Sequence, residues 1–108
     1  MSTELYNEDS SALDGSTETF TSDIADRQGR HLWQYVNRTD VAVTVTIYGT
    51  RKEDTTYNDI VKLGDTSVTA DGVDAGYLDD PWEVAYFEVA YGANPSSGSM
   101  EVHEMTEL

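Results

Sequence analysis

Apolar and polar residues alternate with a period of two over short stretches from Glu18 onward, and no stretch carries a 3.6-residue stripe. The pattern predicts an all-β chain. It is clearest at Val41–Tyr48, where Val41, Val43, Val45 and Ile47 point one way and Ala42, Thr44, Thr46 and Tyr48 the other. His31–Val36 sets Leu32 and Val36 against Trp33 and Tyr35, and Asn37-Arg38-Thr39-Asp40 reads as the turn of a hairpin joining these two strands. Tyr57–Leu63 and Thr66–Ala70 flank a Gly64-Asp65 turn signal, and Asp71-Gly72 marks a tight turn before a short strand at Val73–Leu78. Asp79-Asp80-Pro81 ends that strand, since proline has no amide proton for a ladder. Trp82–Tyr91 places Ala85, Phe87 and Val89 opposite Trp82, Val84, Tyr86 and Glu88, and Ser99–Met105 closes the chain with Met100 and Val102 facing inward.

About seven to eight strands at this spacing predict a small antiparallel β-sandwich or jelly roll over residues 18–108. Residues 1–17 show no sustained period. They are expected to form a flexible, acidic N-terminal arm, with Leu5, Tyr6 and Leu13 available to anchor it on a neighbour.

Charge changes the picture. The 108 residues hold 21 Asp plus Glu against 6 Lys plus Arg, a formal charge of −15. Residues 1–26 contribute Glu4, Glu8, Asp9, Asp14, Glu18, Asp23 and Asp26 and no Lys or Arg, and the remaining acids are spread through the sandwich. Such a surface excludes phosphate-tracking nucleic-acid binding and adhesion to an anionic membrane. Dense carboxylates with only two lysines, Lys52 and Lys62, fit a protein that works in molar salt, where self-repulsion is screened. There is no cysteine, hence no disulfide or thiolate chemistry, and neither a membrane-spanning helix nor a secretion signal is expected.

Candidate chemistry is sparse. His31 and His103 are the two histidines, and no G-x-S-x-G elbow accompanies them, so each is expected to pack or face solvent. Asp71, Asp74, Asp79 and Asp80 bracket one predicted hairpin end and offer oxygens to Ca²⁺, but the loop spacing of a calcium hand is missing and no cofactor is implied. No catalytic constellation appears. Seven Tyr, two Trp and two Phe are the stronger signal. Trp33, Tyr35, Tyr48 and Tyr86 are expected on an exposed sheet face as subunit contacts; Trp33 and Tyr35 with Trp82 and Tyr86 read alternatively as a sugar-stacking platform, and core packing of one or both Trp is the plain alternative. Asn37-Arg38-Thr39 fits the N-glycosylation triplet and lies in a predicted, accessible turn, but the motif is short and common and, with no secretion signal expected, reads as incidental.

Asn37–Gly49 (NRTDVAVTVTIYG) and Asp80–Val102 (DPWEVAYFEVAYGANPSSGSMEV) resemble the small β-sandwich virion proteins of tailed viruses. The resemblance rests on the V-T-V strand, Asp71-Gly72, Asp80-Pro81-Trp82 leading into Val84–Val89, and Pro95-Ser96-Ser97-Gly98 before the last strand. Tyr86 stands near where members often have an arginine. With the acidic composition, the resemblance implies a structural protein of a virus infecting a halophilic archaeon. Such a protein assembles with itself and with other virion proteins such as the major capsid protein, without turnover, in the cytoplasm of a high-salt host. Capsid decoration is the first expectation, a neck, tail or baseplate position the second, and a carbohydrate- or receptor-binding module the alternative from another class.

Overall fold

Eight strands carry the alternation, and the computed structural model describes residues 2–24, 30–79 and 81–105. In chain order they are β1 (Ser2–Asp9), β2 (Glu18–Asp23), β3 (His31–Asn37), β4 (Val43–Thr50), β5 (Val61–Val68), β6 (Val73–Leu78), β7 (Val84–Tyr91) and β8 (Ser99–Met105), with one 3-10 turn at Ser10–Ala12. One sheet has the order β1-β8-β3-β6 and the other β2-β7-β4-β5, and every pairing is antiparallel. This is the strand order of a jelly roll, two Greek keys folded face to face.

The inner faces follow the period-two pattern. Val43, Val45, Ile47, Ala85, Phe87, Val89, Met100 and Val102 are all buried, as the sequence predicts for β4, β7 and β8. A column of rings runs through the core and links both sheets. Tyr6 stacks on Phe20 at 5.2 Å, Phe20 on Phe87 at 4.6 Å, and Phe87 meets Trp33 edge-on at 5.1 Å. Polar groups inside are tied across the sandwich. The Ser22 hydroxyl donates to Glu104 Oε2 at 2.8 Å, and Tyr6 Oη donates to Glu18 Oε1 at 3.0 Å while sharing a 2.6 Å hydrogen bond with Tyr91 Oη. Burial pushes the Tyr91 hydroxyl up to about 12 and raises that of Tyr6 as well.

Three expectations are corrected. First, β3 and β4 do not form a hairpin, because they belong to opposite sheets. The Asn37–Asp40 segment is a corner held by Asn37, whose Nδ2 donates to the carbonyls of Val41 (2.8 Å), Val68 (3.2 Å) and Thr69 (3.1 Å). Its Oδ1 accepts from the Thr39 amide and hydroxyl at 3.0 and 2.6 Å. Asn37 is 1% exposed, so the glycosylation triplet is a structural corner and its amide is inaccessible to modification. Gly98 passes against this corner at φ +83°, where a Cβ would lie 2.7 Å from the Arg38 carbonyl carbon.

Second, Gly64-Asp65 lies within β5 instead of forming a turn. A register shift opposite Ile47 and Tyr48 inserts one extra residue there.

Third, residues 2–13 form no loose arm. β1 pairs with β8 from Ser2↔Met105 to Asp9↔Ser99, and Tyr6 and Leu13 are buried in the chain's own core with Leu5 packed against it. An extended segment that satisfies its backbone on a neighbouring strand and buries two large side chains has reason to stay ordered.

Candidate functional site

The two sheets turn their outer faces to solvent, and register decides what each presents. On the β2-β7-β4-β5 sheet, Thr21, Tyr86, Tyr48 and Lys62 lie side by side across four strands. The Tyr48 and Tyr86 rings meet at 5.9 Å with 68° between their planes, and Tyr57 adds a third ring 4.9 Å from Tyr86. Hydrogen bonding to Glu88, then desolvation, pushes the Tyr48 hydroxyl up to about 12.

Tyr57 reaches this face from the β4–β5 loop at φ 55°. Asp54 organises the loop by accepting from the Thr50 hydroxyl (2.8 Å) and from the amides of Asn58 and Asp59 (both 3.2 Å). Desolvation opposes the charge of Asp54, yet these donors outweigh it and hold the carboxyl below its ordinary value of 3.8. A depressed carboxyl contributes order above its unfolded pKa and loses it as pH falls through the folded one. Acidification below about pH 4 is therefore expected to release the loop before the core melts. NMR shifts of the Tyr57 ring and the Asn58 amide, followed against pH, check this. If they titrate only together with global unfolding, the loop does not depend on Asp54.

The outer face of the β1-β8-β3-β6 sheet carries two apolar rows on either side of a polar one formed by Glu4, His103 and Gln34. Met105, Leu32 and Tyr77 form one row across β8, β3 and β6, and Val36 and Val73 form another. Leu32, Val73, Tyr77 and Met105 are among the large hydrophobic side chains left exposed. Arg30 lies 4.6 Å above the Tyr77 ring and pairs with Asp79 at 2.8 Å. Beside this patch, Glu101 accepts from Arg38 at 2.9 Å and contacts His103 at 3.0 Å, with Glu4 close by, so that these three side chains offer ligand atoms within 4.8 Å of one another. Among the described residues every Lys and Arg is paired with a carboxylate, Arg51 with Asp59, Lys52 with Asp23 and Lys62 with Asp65 completing the set.

The predicted contact residues are thus divided. Tyr48 and Tyr86 share an outer face as expected. Trp33 and Tyr35, expected on an exposed face, are both 0% exposed and belong to the core. β3 turns Leu32 and Gln34 outward instead, and two large rings gain more from burial than one leucine. Leu5, Tyr6 and Leu13 pack on their own chain. Trp82 is half-buried, its ring lying on Gly49, where a Cβ would be 2.7 Å from Cε2. His31 is buried and stacks on Trp33 at 6.1 Å. The acidic residues weighed for Ca²⁺ do not converge, because β6 separates Asp71 and Asp74 from Asp79 by most of a strand; Asp80 lies outside the described residues. The outer apolar rows escape sequence reading because each strand supplies only one or two members.

No helix among the described residues is long and apolar enough to cross a membrane. No protein-family model matches the chain, and no curated protein matches it by sequence.

Proposed function

We propose that this jelly roll is a structural subunit that works by assembly. The observation that carries the reading is the outer face of β1-β8-β3-β6, where Leu32, Val73, Tyr77 and Met105 stand exposed from adjacent strands although the chain has a full core without them. An apolar row of this kind on a chain of charge −15 gains from a covering neighbour. Molar salt screens the mutual repulsion and leaves hydrophobic contact intact. The tyrosine cluster on the opposite face supplies a second contact, as a subunit with neighbours on both sides requires.

Together with the resemblance to small β-sandwich virion proteins, this supports a virion structural protein of a tailed virus infecting a halophilic archaeon, on the capsid exterior as a decoration subunit. A neck, tail or baseplate ring is the nearest variant of the same reading. The non-coplanar tyrosine rings weigh against a sugar-stacking platform, which calls for parallel faces.

Light scattering at molar KCl tests the proposal. A closed oligomer is expected, three-fold for a shell cluster and of higher order for a ring. Replacing Leu32 and Tyr77 together by Ser should shift it toward monomer by tenfold or more in association constant, at roughly 1.5–3 kcal/mol per buried side chain, with the fold retained. Tyr48→Ser and Tyr86→Ser test the other face in the same assay. A monomer at all salt concentrations that binds immobilised glycans would replace assembly with the carbohydrate reading.

A further inference from the structure

The two long sides of the sandwich are closed differently. Along β1 and β2, Leu13 and the Tyr6–Glu18–Tyr91 hydrogen bonds seal the gap between sheets. Along β5 and β6, the free edges of their sheets, a cleft of about 470 Å³ remains. Both strands place a glycine where an inward side chain belongs, and Gly64 leaves its position empty. Gly64 pairs with the inward Ile47, and Gly76 pairs with the inward Trp33. A Cβ on Gly64 would touch nothing within 4 Å, so the space above it is empty. A Cβ on Gly76 would lie 2.8 Å from Tyr35 Cζ, because the Tyr35 hydroxyl fills the position beneath it. That hydroxyl is fully buried and has no hydrogen-bond partner, an arrangement uncommon in plain cores. Ile47, Leu63 and Leu78 supply the aliphatic walls.

The edges differ as well. β5 carries a bulge with Lys62 paired to Asp65 beside it, features that discourage strand pairing. β6 offers Ala75-Gly76-Tyr77-Leu78, a run with no charge, bracketed by Asp74 and Asp79. We propose that the cleft docks an extended segment of a partner protein, which pairs with β6 at residues 75–78 as a fifth strand of β1-β8-β3-β6. The segment seats an aliphatic side chain over Gly64 and carries basic residues at its ends. The outer edge of β6, where a pairing strand displaces the Asp74 carboxylate from the Ala75 amide (2.8 Å), specifies a strand, the glycine notch and its aliphatic walls specify the inserted side chain, and Asp74, freed by that exchange on a chain of charge −15, specifies the flanking charge, Asp79 being already paired with Arg30. This docking does not depend on self-assembly through the outer faces.

The test uses the full chain and a fluorescein-labelled heptapeptide, Lys-Thr-Val-Leu-Val-Thr-Lys, followed by fluorescence anisotropy and by amide NMR. Saturable binding is expected, with shifts and exchange protection centred on residues 75–78. Gly64→Leu fills the notch from open space and should weaken binding about tenfold, the effect of excluding one buried aliphatic group, while the thermal midpoint stays unchanged. Leu63→Ser provides a second variant that weakens the wall without occupying the cleft. A peptide with Glu in place of both Lys should bind more weakly. The proposal is overturned by absence of saturation, by shifts centred away from β6, by equal binding to Gly64→Leu, or by equal affinity for the acidic peptide.

Discussion

Replacing Asn37 with Ala is expected to cost about 3 kcal/mol or more, and to lower the melting midpoint by roughly 10 °C or more. The side chain is 1% exposed and joins three segments of the chain, donating to Val41 and Val68–Thr69 and accepting from Thr39. Truncation strips the Val68 carbonyl and the Thr39 amide of their Asn37 partner, at about 1–3 kcal/mol for each group that water cannot reach, while the Val41 and Thr69 carbonyls keep the Thr39 hydroxyl (3.1 Å) and the Gly72 amide (2.9 Å). Against a net stability of about 5–15 kcal/mol this is a large fraction. Asn37→Asp should do no better than Ala despite its identical shape, because it keeps the acceptor and turns an anion toward three carbonyl oxygens. Thermal and urea melts of both variants in molar KCl check the expectation. If either stays within about 1 kcal/mol of the parent, the corner is not what joins the sheets.

The second large effect concerns the first strand. A chain starting at Asp14 loses β1, the buried side chains of Tyr6 and Leu13, and the partner of the Tyr91 and Glu18 side chains. Two buried apolar groups at about 1.5–3 kcal/mol each, plus a stranded hydroxyl at about 1–3 kcal/mol, total roughly 4–9 kcal/mol. That is comparable to the entire stability of a domain this size, so the shortened chain should show no cooperative melt by circular dichroism. A flexible arm makes the opposite prediction, with a melt within a few degrees of the parent. Deleting residues 2–13 therefore separates a strand of the sandwich from an appendage to it.

The strand that was hard to read and the one misread share a cause. β1 has a register shift between Glu4 and Tyr6, and β5 has one opposite Ile47 and Tyr48. A bulge inserts one residue and inverts the alternation beyond it, so Leu5-Tyr6 shows no period and Gly64-Asp65 imitates a turn. Where no bulge intervenes, as in β6, β7 and β8, alternation and turn residues locate the strands to within two residues. Alternation also names two faces without saying which one is wet. In β3 both faces are apolar, Leu32 against Trp33 and Tyr35, and only the opposing sheet decides. The candidate surfaces needed register, since Met105, Leu32 and Tyr77 are neighbours only across strands. Tyr48 and Tyr86 were legible because each sits opposite an obvious core residue within an unbroken alternation.

The jelly-roll strand order also governs how the chain reaches its native state. Of the six strand ladders among the described residues, only β4–β5 joins strands adjacent in sequence, and β1 pairs with β8. Non-local pairings must pay for loop closure before they yield contacts, so folding belongs to the slow, millisecond-to-second regime, and the β4–β5 hairpin is the natural starting point. During synthesis β1 emerges ahead of the other strands of the sandwich and stays unpartnered until Met105 has left the ribosome, and Tyr6 and Leu13 meanwhile have no finished core to join. Over that interval the sheet edges stand open, and the dense carboxylates serve a second purpose by keeping the unfinished chain hydrated until the last strand closes the first.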